Sequence, residues 1–186
     1  MTLQEKLRQK RFVVTAEVTP PVSFDKADLL AKAIPLKGLA DAVNLTDGAG
    51  ARPHLASLAA APILLGEGIE PILQMTCRDR NRIALQSDLM GAAALGIHNL
   101  LMLRGDDPSA GDQPDAKAVF DIDSRVLLET ARKLRDAGEL PSGRKVAGSA
   151  SFFLGAADSP IDPKPDWQPA SLAAKIGAGA QFAQTQ

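Results

Sequence analysis

The chain has 186 residues, 45% of them hydrophobic and 23% charged, ordinary values for one globular domain. A formal net charge of -1 excludes the basic footprint of a nucleic-acid binder, and the absence of Tyr, with aromatics at only 4%, argues against a base-stacking surface. Cys77 is the lone cysteine, which excludes an internal disulfide and a cysteine-rich zinc site.

The first ten residues are charged and lack the apolar core of a signal peptide. No apolar run approaches the roughly 18 residues of a membrane span. By elimination, the expected location is cytoplasmic, with neither membrane nor nucleic acid as a partner.

Short apolar runs rich in β-branched residues predict strands at 12–18, 42–46, 71–76 and 99–103, within 146–154, and at 181–185. Between them, Ala/Leu-rich segments predict helices at 25–36, 53–65, 79–95, 124–137 and 171–176. Asp25 is a candidate N-cap, and Pro62 is expected to kink or end its helix. Glycines 38, 68, 96, 138 and 179 fall near the helix-to-strand junctions.

Strand and helix alternate roughly every 30 residues, the length of a βαβ unit, so the fold class is α/β with a parallel sheet. A doubly wound sheet calls for a glycine-rich phosphate loop after an early strand. The nearest string, Gly177-Ala178-Gly179-Ala180, precedes a strand and lacks the third glycine. A (β/α)8 TIM barrel instead demands functional polar residues at the C-terminal ends of its strands. Glu17, Thr46-Asp47-Gly48, Thr76 to Asp79, Arg104 to Pro108 and Gln184 to Gln186 all lie there. The barrel is therefore the expected fold, truncated after about six strands because a complete one takes about 250 residues. The domain expectation is one domain over 1–186, the N-terminal two-thirds of a barrel. Its open edges leave a homo-oligomer open. Long loops at 108–123 and 158–169 lie on the functional face.

The strand-end motifs carry a resemblance. Thr15 to Pro21, with Glu17 shortly before a Pro-Pro pair, resembles the first-strand motif of methylenetetrahydrofolate reductases. Gln74-Met75-Thr76-Cys77-Arg78 resembles the family's third-strand motif, and Leu103-Arg104-Gly105-Asp106-Asp107-Pro108 its Leu-Arg-Gly-Asp-x-Pro signature. Lys175 to Gln186 resembles its Lys-x-x-Ala-Gly-Ala-x-x-x-x-Thr-Gln segment. Each motif alone is weak; their order over nearly the whole chain is specific.

The resemblance implies reduction of 5,10-methylenetetrahydrofolate to 5-methyltetrahydrofolate by NADH or NADPH through a noncovalent flavin, FAD by preference. Glu17 matches the general acid, a role that needs a carboxylic acid still protonated near neutral pH, which burial favours. Asp106 matches an aspartate beside flavin and pterin. Arg104 and Gly105 match flavin contacts, Thr46 a threonine near flavin and nicotinamide, and Lys175 a lysine near the flavin phosphates. Gln186 matches a glutamine that binds the tetrahydrofolate substrate and the nicotinamide. Departures are Gln74 for a flavin-contacting histidine, Phe120 for tyrosine, Gln168 for an acidic contact and Ala174 for arginine. Losing that arginine weakens a phosphate clamp, which opens FMN or direct, flavin-free hydride transfer as alternatives.

Other readings compete. Arg104 to Pro108 is also good turn sequence. A silent folate-binding accessory subunit has no need of an acid at Glu17, and a sugar-phosphate barrel enzyme needs phosphate loops after strands seven and eight. Cys77 reads as an apolar filler. His54 and His98 are isolated, against a metal site. The Arg78 to Arg82 cluster reads equally as an anion site or a solvated face.

Overall fold

Every strand of this chain is short and parallel to its neighbours, so each connection must cross back over one face of the sheet as a helix. The computed structural model describes residues 1–159, 162 and 164–185. Six parallel strands run in sequence order: β1 (Thr15–Val18), β2 (Ala42–Leu45), β3 (Pro71–Thr76), β4 (Asn99–Leu103), β5 (Phe153–Asp158) and β6 (Phe182–Thr185). The sheet curls as in six strands of a (β/α)8 barrel, with β1 and β6 as its two edges.

The helices are α1 (Leu3–Arg8), α2 (Lys26–Ala33), α3 (Ser57–Gly66), α4 (Arg82–Ala94), α5 (Ser124–Ala137) and α6 (Ala170–Ala178). Side chains alternate across each strand, so the sheet has two different faces. The outer face packs Val43, Leu45, Leu73, Met75, Leu100, Met102 and Leu154 against buried helix residues such as Leu29, Leu64, Leu85, Leu89, Leu127 and Leu128. The inner face carries a smaller cluster, Ala42, Ile72, Leu101 and Phe153, closed from below by Leu3 of α1.

Helix α1 was not anticipated. Its signal is Thr2-x-x-Glu5, a capping box in which both reciprocal bonds form. The Glu70 carboxylate, just before β3, accepts from the Leu3 N–H at 3.0 Å and from the Asn99 amide at 2.7 Å. That contact seats α1 under the inner cluster.

Several boundaries move for identifiable reasons. The first strand is only Thr15–Val18, and Phe12 stands 90% exposed. Helix α3 begins at Ser57, since the residues from Arg52 to Ala56 form its entry. Pro62 neither ends nor splits α3, because Ala60, Ala61 and Leu64 around it are fully buried and hold the turn in place. Helix α4 begins after Asn81, whose side chain caps the Ile83 and Ala84 N–H groups. The fifth strand lies later than expected, at Phe153–Asp158. Val146 instead bonds back to the Gly138 carbonyl in the connection leaving α5.

Leu89 of α4 is fully buried in the outer core. Leu89→Ala is expected to lower stability by about 2–5 kcal/mol, read as a drop in urea midpoint at unchanged slope.

Candidate active site

The C-terminal ends of the strands share one open rim. On its inner face, Glu17 of β1 and Asn44 of β2 are register partners. The Glu17 Oε2 accepts from the Gln74 Nε2 at 3.0 Å, bridging β1 to β3. Gln74 is buried, whereas Glu17 is exposed, because β1 is a sheet edge; the burial that favours an acid role is not met by these strands alone. Beside the pair, the Asn44 Nδ2 donates to the Ala16 carbonyl at 3.3 Å. The Asn44 Oδ1 is buried with no hydrogen-bond partner among the described residues.

The end of β2 is the most heavily bonded part of the rim. The Asp47 carboxylate accepts from the Thr76 N–H at 2.7 Å and the Thr76 hydroxyl at 3.0 Å, and it pairs with Arg80. Arg80 also meets Asp88 of α4 at 2.8 Å. Arg78, almost fully buried, forks onto Asp79 at 2.8 Å through two nitrogens and donates to the Gly48 carbonyl at 3.0 Å. Gly48 has φ +62°, a conformation that favours glycine, and a Cβ there would collide with the Arg78 guanidinium and displace it. Thr46 is buried, with its hydroxyl 3.4 Å from His54 Nε2. A cavity of about 350 Å³ opens here, bounded by Asp47, Gly48, His54, Arg78 and Pro108.

The end of β4 crosses the same rim. Gly105 has φ +92° and sits against the Thr76 side chain, where an added Cβ would come within 3.1 Å. Asp106 is exposed, and its Oδ2 accepts from the Gly50 N–H at 2.9 Å. The Arg104 guanidinium stacks over the Phe120 ring at 4.3 Å. Arg82, at the start of α4, grips Asp121 through its backbone N–H at 2.9 Å and side-chain bonds of 2.7 and 2.9 Å, closing the loop after β4. On the far side of the rim, the Lys175 ammonium donates to the Ala157 carbonyl of β5 at 2.6 Å, next to Trp167 and Gln168.

A family model described as Methylenetetrahydrofolate reductase matches residues 2–186. The chain belongs to the methylenetetrahydrofolate reductase family. Comparison with curated proteins finds no match. Membership makes the chain one of a family of oxidoreductases acting on methylenetetrahydrofolate in one-carbon metabolism, with a folate as substrate.

Within this reductase fold, Glu17, Thr46, Gln74, Arg104, Gly105, Asp106 and Phe120 belong to the strand-end rim or the loop above it, and Lys175, in α6, reaches the end of β5 through the Ala157 carbonyl. A hydrogen bond joins Glu17 with Gln74, and a cation–π stack joins Arg104 with Phe120. Gln186 lies outside the described residues. Among these residues no group of three or more His, Cys, Asp or Glu side chains could hold a metal ion, and no helix is long and apolar enough to cross a membrane.

Asp47 is expected at the strand-end rim from its place after β2, whereas the rim roles of Asn44 and His54 escaped the sequence reading. Asn44 had a readable signal, a polar side chain inside an apolar strand. His54 had none, since its partners, the Gly48 N–H, the Leu55 carbonyl and the Thr46 hydroxyl, are brought to it only by the folded loop. The Arg78 to Arg82 cluster divides: Arg78, Arg80 and Arg82 are all paired with carboxylates, so it is an ion-pair network that shapes the rim.

Cys77 is fully buried, and that burial, reinforced by the Asp123 charge, pushes its thiol up to about 11. The thiol form therefore persists at neutral pH. Iodoacetamide at pH 7.5 is expected to leave the folded protein unlabelled and to label it in denaturant, as mass spectrometry would show.

The Arg82 side chain and backbone N–H lower the Asp121 carboxyl to about 2. A lowered folded value means the clasp stabilises the loop above the ordinary carboxylate range and is lost as pH falls through about 2. Proteolysis at residues 108–123 should accelerate in that acid range, tested with pepsin; Asp121→Asn should show the same opening to trypsin at neutral pH.

Proposed function

We propose that this chain reduces 5,10-methylenetetrahydrofolate to 5-methyltetrahydrofolate with hydride from NADH or NADPH relayed by a bound flavin, FAD by preference. The observation that carries this reading is the Glu17–Gln74 pair on the inner face of the same rim that bears Asp106. Glu17 gives its proton to a nitrogen of the folate five-membered ring. The bond from that nitrogen to the methylene carbon breaks, and the other nitrogen forms a cationic iminium with the methylene. Addition of hydride to that carbon completes the methyl group.

The chain's own groups suit these steps. The Gln74 amide orients the Glu17 carboxyl. The unpartnered Asn44 Oδ1, on the strand beside Glu17, offers an acceptor to a protonated acid or to a pterin N–H. The Asp106 carboxylate, held by the Gly50 N–H, would steady the iminium by its charge.

The residues that would hold a flavin also fit. Arg104 with Phe120 presents a cation and a flat apolar ring, Thr46 and Gln74 present polar groups, and Lys175 is the cation on the phosphate side. When bound, the flavin supplies hydride transfer between nicotinamide and folate. With alanine at 174, the phosphate hold rests on Lys175, which is why FMN and direct nicotinamide-to-folate transfer stay in the test. The buried, unpaired Cys77 accords with a cytoplasmic setting.

A visible spectrum of the purified protein tests the reading. Flavin bands should bleach with NADH or NADPH and return with methylenetetrahydrofolate. Glu17→Gln should slow the folate half-reaction by about 10²–10⁴-fold and leave the nicotinamide half-reaction intact. No flavin after reconstitution, with nicotinamide oxidation retained, would mean direct transfer; loss of both would leave a folate-binding accessory subunit.

A further inference from the structure

We infer that His54 is a positioning residue that aims the Gly50 N–H at Asp106, through a loop clamped at the Gly48 peptide. Three bonds define the geometry. The His54 Nε2 accepts from the Gly48 N–H at 3.0 Å. Its Nδ1 lies 2.9 Å from the Leu55 carbonyl, which must be a donated bond because a carbonyl cannot donate. The ring is thereby held as the neutral tautomer with its proton on Nδ1, leaving Nε2 as an acceptor. Leu55 is itself anchored, its N–H donating to the Pro21 carbonyl at 2.9 Å, so the ring stands on a fixed support.

The other side of the same residue is held as well. The Gly48 carbonyl accepts from the Arg78 Nη1 at 3.0 Å. Gly48 is thus gripped at its N–H by His54 and at its C=O by Arg78, and the 3-10 turn over Ala49–Ala51 leaves it in one direction. That turn carries the Gly50 N–H to the Asp106 Oδ2, 2.9 Å away. The Asp106 side chain is exposed, and this backbone donor is the hydrogen bond that orients it. A carboxylate oxygen accepting an N–H is fixed in rotamer and loses less freedom when a cation forms beside it. His54 acts on Asp106 through the loop, and its Nε2 also stands 3.4 Å from the Thr46 hydroxyl.

The significance for catalysis rests on the proposed role of Asp106; the loop geometry does not. The experiment therefore has one arm that needs no activity. His54→Leu removes the acceptor, and His54→Gln returns an acceptor near the Nε2 position. In ¹⁵N-labelled protein, hydrogen exchange at the Gly50 amide is read against the sheet amides of Leu100 and Leu154, which report that the fold is intact. His54→Leu should speed Gly50 exchange about tenfold, with Leu100 and Leu154 unchanged, and His54→Gln should restore most of the protection.

In the reductase assay, His54→Leu should lower the rate of the folate half-reaction about tenfold. The double variant with Asp106→Asn should be no slower than Asp106→Asn alone. Gly50 exchange that is the same in His54→Leu as in the parent would overturn the inference, as would additive losses in the double variant. A protein with no reductase activity but with the Gly50 response intact would remove the catalytic reading and leave His54 as the anchor of the loop.

Discussion

In a parallel sheet every strand ends on the same side, and that constraint organises this protein. Each helix must carry the chain back before the next strand can begin. The polar residues that follow Val18, Leu45, Thr76, Leu103 and Asp158 are therefore delivered to one rim, although up to 140 residues of chain separate the first from the last. No long-range recognition between these side chains is needed to gather them. The outer core of Leu, Val and Ala holds the strands in register, and the rim inherits its layout from that register.

The rim is then rigidified by charge. Asp47 alone joins the end of β2 to the end of β3 through the Thr76 N–H and hydroxyl, and to α4 through Arg80 and Asp88. Arg78 does the same for the Gly48 turn. Such partly buried pairs are poor sources of net stability, since desolvation offsets much of their attraction. Their value here is geometric: they hold the loops on which Thr46, Gly105 and Asp106 are carried. Arg104 and Arg82 continue the pattern outward, one stacked on Phe120 and one clasping Asp121, so that the long loop after β4 has two fixed points.

Much of this was legible beforehand. The strands at 71–76 and 99–103 and the helix at 124–137 were read at their observed bounds, because apolar periodicity reports burial and these elements are buried along one or both faces. The strand-end placement of Glu17, Thr46 and Asp106 was readable too, since it depends only on where an apolar run stops. The misplaced elements share a cause. Val146 looked like strand sequence, and Pro62 looked like a helix end, but tertiary packing assigned Val146 to a connection and kept Pro62 inside α3.

The sequence by itself determined the class of fold, the order of its strands and the family, because all three follow from local pattern and short motifs. Only the tertiary structure decided which polar groups meet. Gln74 reaches Glu17 across 57 positions, Gly50 reaches Asp106 across 56, and Glu70 reaches Leu3 across 67. The physical reason is that hydrogen bonds act over about 3 Å and carry no signature along the chain. His54 is the plainest instance: nothing around it in sequence marks it, and its partners come together as a site only once the loop has folded.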